Sequence, residues 1–148
     1  MRRFILNNSP IHGRQMVKTV IQSATFKGAT PQRLYATYLS SAKHAAAIGA
    51  PAQVEPRVGG KFQAFGMLKG KFLVLIKDKM IVQTWRAVKF KKHDEDSILT
   101  LRFDKVKGGA RIQIVHAFVP DHDYADIQKG WPKYYWKPWA KYLRAGDI

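Results

Sequence analysis

From Val58 onward, apolar and polar residues alternate with period two through five stretches: Lys61–Gly66, Lys71–Ile76, Met80–Val88, Ile98–Phe103 and Arg111–Val119. That period belongs to strands with one dry and one wet face. The breaks are short. Lys77-Asp78-Lys79 reads as a tight hairpin, His93-Asp94-Glu95-Asp96 as a polar loop, and Gly108-Gly109 as a two-residue turn needing positive φ angles. None is long enough for a crossover helix, so an antiparallel meander is predicted. Within it, Ile112, Ile114, His116 and Phe118 form the inner face against Arg111, Gln113, Val115 and Ala117. Leu99, Leu101 and Phe103 alternate with Ser97, Thr100 and Arg102, and Phe62 and Ala64 with Lys61 and Gln63. Ile81, Trp85 and Ala87 join the inner set, with Thr84 and Arg86 outside. Phe72 to Ile76 is apolar on both faces, so periodicity does not orient it.

Upstream, the β-branched run Val17 to Phe26 predicts another strand. Thr30-Pro31 then starts a helix that buries Leu34, Tyr35, Tyr38 and Leu39, with threonine as cap and proline at the first turn. Ser41 caps a second short helix through Ala45, Ala46 and Ala47, which Gly49 and Pro51 close. At the other end the spacing turns helical. Trp131, Tyr135, Pro138, Trp139 and Tyr142 fall on one side of Gly130–Leu143, Lys129, Lys133, Lys137 and Lys141 on the other, and Trp136 at the edge. Pro132 sits harmlessly at the start, whereas Pro138 removes a backbone bond inside the segment and bends it. The expected class is α+β, a curved antiparallel sheet with two short helices and a long C-terminal helix across its apolar face. The order is β-α-α-β-β-β-β-β-α. Residues 1–15, lacking periodicity, read as a mobile N-terminal arm, and residues 16–145 as one domain.

Composition narrows the chemistry. The chain of 148 residues has no cysteine, which removes disulfides, thiolate metal sites and cysteine nucleophiles. Its longest run without a polar side chain, Ala45 to Ala52, is far too short to span a bilayer, and Arg2-Arg3 lacks the apolar stretch of a secretion signal; a cytoplasmic location is expected. Twenty-six Lys and Arg against ten Asp and Glu give a formal charge of +16, which suits polyanions, anionic membranes or acidic proteins. The lysine column at 129, 133, 137 and 141 is the candidate anionic-surface contact, with Trp136 available for insertion. Nucleic acid is the least favoured of these partners, because no groove-reading element is predicted.

No enzyme template is met. Gly59-Gly60 precedes a strand rather than a helix and reads as a turn or bulge, not a phosphate cradle. Asp121-His122-Asp123 could suggest a metal, but adjacent side chains diverge, and capping of the helix after Pro120 by either aspartate is the expected role. His116 faces inward, where it either bonds a neighbour such as a tyrosine hydroxyl, orients a polar ligand group or acts as a general base. No catalytic residue, cofactor or metal is predicted.

An ordered set of short motifs carries a resemblance. Val58-Gly59-Gly60-Lys61-Phe62, Ile81-Val82-Gln83-Thr84-Trp85-Arg86, Ser97-Ile98-Leu99-Thr100-Leu101, Val119-Pro120 and Gly130-Trp131 followed by Tyr134-Tyr135-Trp136 and Tyr142-Leu143 resemble the activator of heat-shock protein 90 ATPase homologue family. That family lies within the START-like, helix-grip superfamily. The resemblance runs over Val17 to Leu143, His44-Ala45 and Gly49-Ala50-Pro51-Ala52 included. It implies the same element order, a cavity beneath the last helix, and Leu73 and Leu75 facing inward. The eukaryotic co-chaperone members carry a separate N-terminal domain for the main chaperone contact, where this sequence has a short arm. Pattern and resemblance together predict a cavity lined by Phe62, Leu73, Trp85, Leu101, Ile114, His116, Trp131, Tyr135 and Trp139 that takes an apolar or amphipathic small molecule. A chaperone-cofactor-like protein interaction is the alternative, and a cavity enzyme of the cyclase or dehydratase type a further one.

Overall fold

The computed structural model describes residues 16–145; the arm predicted over residues 1–15 lies outside them. Seven antiparallel strands form one sheet: β1 (Val17–Lys27), β2 (Ala52–Val54), β3 (Lys61–Ala64), β4 (Leu68–Ile76), β5 (Met80–Ala87), β6 (Ser97–Val106) and β7 (Gly109–Pro120). Their spatial order is β1-β7-β6-β5-β4-β3-β2, so the first strand crosses to pair with the last and the remainder is a meander. The three-residue β2, too short to show periodicity, was not predicted. Helices α1 (Pro31–Leu39) and α2 (Ser41–Ile48) follow β1. After β7 comes a continuous helical stretch: a 3₁₀ turn (Asp121–Asp123), α3 (Tyr124–Gly130), a π-helical turn (Trp131–Trp136) and α4 (Lys137–Ala145). This is the predicted α+β, helix-grip arrangement.

Local chemistry sets the helix ends. Thr30 Oγ1 accepts from the Arg33 N–H and Pro31 occupies the first turn of α1. For α2 the cap lies one residue earlier than predicted: Ser40 accepts from the Lys43 N–H, while Ser41 Oγ spans the Val54 N–H and carbonyl and ties α2 to β2. Gly49, at φ 67°, closes α2 as expected.

The inner face follows the predicted alternation, with corrections. Ile81, Leu99, Leu101, Ile112 and Ile114 are completely buried. Ser97, expected outside, shares the parity of Leu99 and is completely buried. Phe118, expected inside, is 55% exposed because it adopts φ 62° where the register between β1 and β7 shifts, which throws its side chain outward. A second register shift explains Leu73. Between the pairs Phe72 with Gln83 and Val74 with Val82, β4 carries one extra residue, so Phe72 and Leu75 point inward and Leu73 is 42% exposed.

The β6–β7 turn also differs from expectation. Its two central residues are Lys107 and Gly108, the latter at φ 79°, and Gly109 already belongs to β7, paired with Val106 and Lys27. A side chain at Gly109 has no room, since its Cβ would stand 2.2 Å from the Phe26 carbonyl oxygen, whereas one at Gly108 would meet nothing within 4 Å. The two glycines therefore answer different constraints. Gly108→Ala is expected to cost about 1 kcal/mol for its left-handed backbone, and Gly109→Ala more than about 2 kcal/mol for the forced backbone shift. Urea denaturation of both variants checks the order; equal losses would contradict it.

Candidate functional site

The predicted cavity lining separates into three groups. Phe62, Leu101, Ile114, His116 and Trp139 are at most 1% exposed and belong to a core packed with rings. Tyr38 stacks on Phe62 at 5.6 Å with planes 2° apart, and His44 meets Phe62, Tyr135 and Trp139 edge-on. These five residues line no accessible space, because α1, α2 and α4 bring aromatic side chains down onto the sheet between them. Leu73 is outside, on its bulge. Only Trp85, Trp131 and Tyr135 reach a cleft.

Two polar chains run through the packed interior. Trp131 Nε1–H donates to His116 Nδ1 at 3.2 Å, so the imidazole proton sits on Nε2 and is given to Ser97 Oγ at 2.9 Å. The serine hydroxyl in turn donates to the Trp85 carbonyl at 2.6 Å. His116 is thus bonded to neighbours, a tryptophan and a serine rather than a tyrosine, and no lone pair is left to act as a base. The second chain uses the other tautomer. His44 Nδ1–H donates to the Tyr38 carbonyl at 2.8 Å, and its Nε2 accepts from the Tyr135 hydroxyl at 2.8 Å. Tyr38 itself donates to Gln83 Oε1 at 2.5 Å, and Gln83 passes on to the Thr84 carbonyl. Burial pushes the Tyr38 and Tyr135 phenols well up, so both stay hydroxyl donors.

The accessible site lies at the side of this core. A cleft of ≈520 Å³ opens between the β3–β4 turn, the end of β5, α3 and the π turn. Its apolar wall includes Phe65, Leu68, Trp85, Val88, Ile127, Trp131 and Tyr135, and its rim carries Lys89, Lys129, Lys133 and Tyr134. Trp85 keeps a buried indole N–H without an acceptor.

Two backbone irregularities meet across the cleft. Phe65 holds φ 60°, a conformation that bulky residues rarely adopt, and its ring lies against Tyr134 at 5.8 Å and Tyr135 at 6.0 Å. Opposite it, the Lys137 N–H bonds the Pro132 carbonyl five residues back. The π turn occupies the residues ahead of Pro138, whose ring crowds the carbonyl four residues earlier and which supplies no N–H of its own. The irregularity at this proline is a π turn in the residues before it. One product is a stack between Trp131 and Trp136, five residues apart, at 5.3 Å with planes 19° apart. Trp136 is consequently not free for insertion. It is half-buried and donates to Gln22 Oε1 on β1, while Gln22 Nε2 donates to the Gln128 carbonyl.

The charged groups sort by position. Lys129, Lys133, Lys137 and Lys141 are all exposed, and the first two line the cleft. In the tripeptide Asp121-His122-Asp123, Asp123 stands at the N-cap position of α3 as expected, but neither aspartate makes a side-chain capping bond, and the three do not gather as a metal cluster. Asp121 pairs with Lys18 at 3.0 Å, His122 with Asp94 at 2.7 Å and Asp123 with Lys89 at 3.4 Å, because the 3₁₀ turn splays the three side chains toward β1, the β5–β6 loop and the end of β5. Lys89 also bonds Asp126.

The sequence reading missed Phe65, Tyr134 and Ile127 of the cleft, and His44, Gln83 and Ser97 of the interior. Ser97 and Gln83 had a usable signal, since each shares strand parity with buried neighbours. Phe65 had none, because an aromatic residue in a left-handed turn is set by what it packs against.

The chain matches the family model described as "Activator of Hsp90 ATPase homolog 1-like protein" over residues 28–144. An uncharacterized protein of Schizosaccharomyces pombe is 36% identical over 111 residues, covering 74% of this chain and 33% of that protein. The human activator of 90 kDa heat shock protein ATPase homolog 1 is 30% identical over 111 residues, covering 73% and 32%. The chain thus spans about a third of the length of the curated relatives it matches. A crystal structure of a Mesorhizobium loti protein superimposes with a TM-score of 0.74 at 19% identity, covering 88% of this chain and all of that one, a likeness of fold.

The buried histidines make stability depend on pH. Burial pushes His116 down to about 3 and His44 down to about 4, the latter against the opposing pull of its bond to the Tyr38 carbonyl. In the unfolded chain both return to about 6.5 and bind protons that the native state refuses, so stability is lost as pH falls from about 6.5 toward the native values of about 4 and about 3, and this contribution levels off below them. Each histidine is expected to remove on the order of 2 kcal/mol between pH 7 and pH 5. Urea denaturation at both pH values should show a shallower loss for His116→Gln than for the wild type, and equal losses would contradict this account.

Proposed function

Because the chain belongs to the family of activator of Hsp90 ATPase homolog 1-like proteins, we propose that it is a binding module holding a small amphipathic molecule in the lateral cleft. The observation that carries this reading is the meeting of a strained Phe65 with a π-helical turn at one cleft of ≈520 Å³. Each irregularity costs conformational energy, and such costs concentrate at functional sites. The volume lies in the range of small-molecule sites, ~300–1,000 Å³. Apolar and aromatic groups form most of the wall, Asp123 is buried in its pair with Lys89, and the exposed polar groups stand at the rim, which suits a ligand with one greasy and one polar end.

A second reading, contact with a heat-shock protein 90 chaperone, is favoured by the human relative, whose name makes it an activator of that ATPase. Micromolar additions of this protein to a purified chaperone measure it directly, and an unchanged ATP turnover rate would remove it.

For the first reading, native mass spectrometry of protein isolated from its own host is expected to show a bound small molecule. Phe65→Asn tests the site. Asparagine tolerates the left-handed turn, which offsets part of the packing lost with the ring, so the variant should stay folded with a modestly lower melting temperature, while loss of the ring against Tyr134 and Tyr135 should weaken binding of the fluorescent probe anilinonaphthalene sulfonate by about tenfold. Probe affinity that is absent in the wild type, or unchanged in the variant, would overturn the cleft as the binding site.

A further inference from the structure

The lining of the cleft is asymmetric in both polarity and charge. Its floor is dry: Trp85, Ile127 and Trp131 are 6%, 8% and 4% exposed. Beside that floor lies one buried carboxylate, Asp123, at 2% exposure, and at the rim stand three lysines and the exposed Asp126. These charges are not equally available. Lys89 is engaged by Asp123 at 3.4 Å and by Asp126, so one cation answers both carboxylates. The bond and charge of Lys89 hold the Asp126 carboxyl below its ordinary value, with Lys129 adding to the effect, and the two aspartates raise the Lys89 ammonium in turn. Among the described residues, Lys129 and Lys133 make no ion pair of their own. Lys133 Nζ stands only over the ring of Tyr134, at 5.2 Å. A cationic ligand would have to displace Lys89 from an existing pair, whereas an anionic one meets two unpaired ammonium groups one helical turn apart.

Resting on the cleft reading above, we infer that the ligand is a single-chain anionic amphiphile, its apolar body against Trp85, Ile127 and Trp131 and its carboxylate, sulfonate or phosphate head at Lys129 and Lys133. Two oxygens of such a head can accept from both lysines at once. Lys137 and Lys141, though part of the same lysine column, are not among the residues that line the cleft, and they take no part in this contact. Selection for an anion therefore comes from two positions and not from the overall charge of +16.

The test is isothermal titration of the full chain at pH 7.5 and low salt with dodecanoate and with dodecanol, both below micelle formation. Dodecanoate is expected to bind about tenfold more tightly than dodecanol. The Lys129→Gln/Lys133→Gln double variant should bring the two affinities within about twofold, with that for dodecanol unchanged. Lys137→Gln/Lys141→Gln removes the same charge elsewhere and should keep the preference. If wild type binds both probes equally, or if the two double variants behave alike, the head-group inference is wrong and the cleft reading stands. Binding of neither probe would take the cleft reading down with it. Binding to phosphatidylglycerol vesicles without binding to monomeric dodecanoate would assign the lysines to a membrane surface and overturn the inference.

Discussion

A neutral imidazole sealed from water must have its one N–H and its one lone pair matched, and the architecture is organised around two such rings. His116 reaches up from β7 to the first residue of the π turn, and His44 reaches from α2 to Tyr135 one turn further on. Each is satisfied only when the terminal helical stretch lies in one axial and rotational setting. Apolar packing alone tolerates small slides of a helix on a sheet; two directional bonds from different elements do not. The core is thus greasy in bulk and polar in its specification, with Tyr38 and Gln83 continuing the second chain into β5.

That setting explains why the helix is irregular. An ideal α-helix places residues three and four apart on one face, yet both Trp131 and Tyr135 must point inward while Trp136 turns toward β1. The π turn widens the spiral enough for Trp136 to stack on Trp131 and still reach Gln22. Pro138 makes this cheap, because it has already taken away the backbone donor that a tighter turn would use. The wider turn also swings Tyr134 out toward Phe65, so the geometry that docks the helix is the geometry that shapes the cleft wall.

Much of the fold was legible because it rests on local rules. Period two gave the strands, Thr30-Pro31 and Gly49 gave helix ends, and aromatic spacing gave the buried side of the last helix. The failures share a cause. Leu73 and Phe118 sit where one strand carries an extra residue, and a bulge reverses parity without any mark in an all-apolar run such as Phe72–Ile76. Ser97 was misassigned although its parity was available. The site was read less well than the fold. An inward residue need not line a cavity: whether an inward face encloses space or fills it depends on ring volumes contributed by other elements, and His44, Tyr38 and Tyr135 fill it. The cleft forms instead where the β3–β4 turn, the end of β5 and α3 fail to close on one another, a property of three distant segments.

Because the cleft opens sideways while the ring-packed core stays shut behind it, a ligand of the proposed kind would enter and leave without any lifting of the terminal helix. Its exchange would then be uncoupled from the opening of the core, with arrival set by diffusion under the field of a strongly basic chain rather than by the lifetime of a closed state.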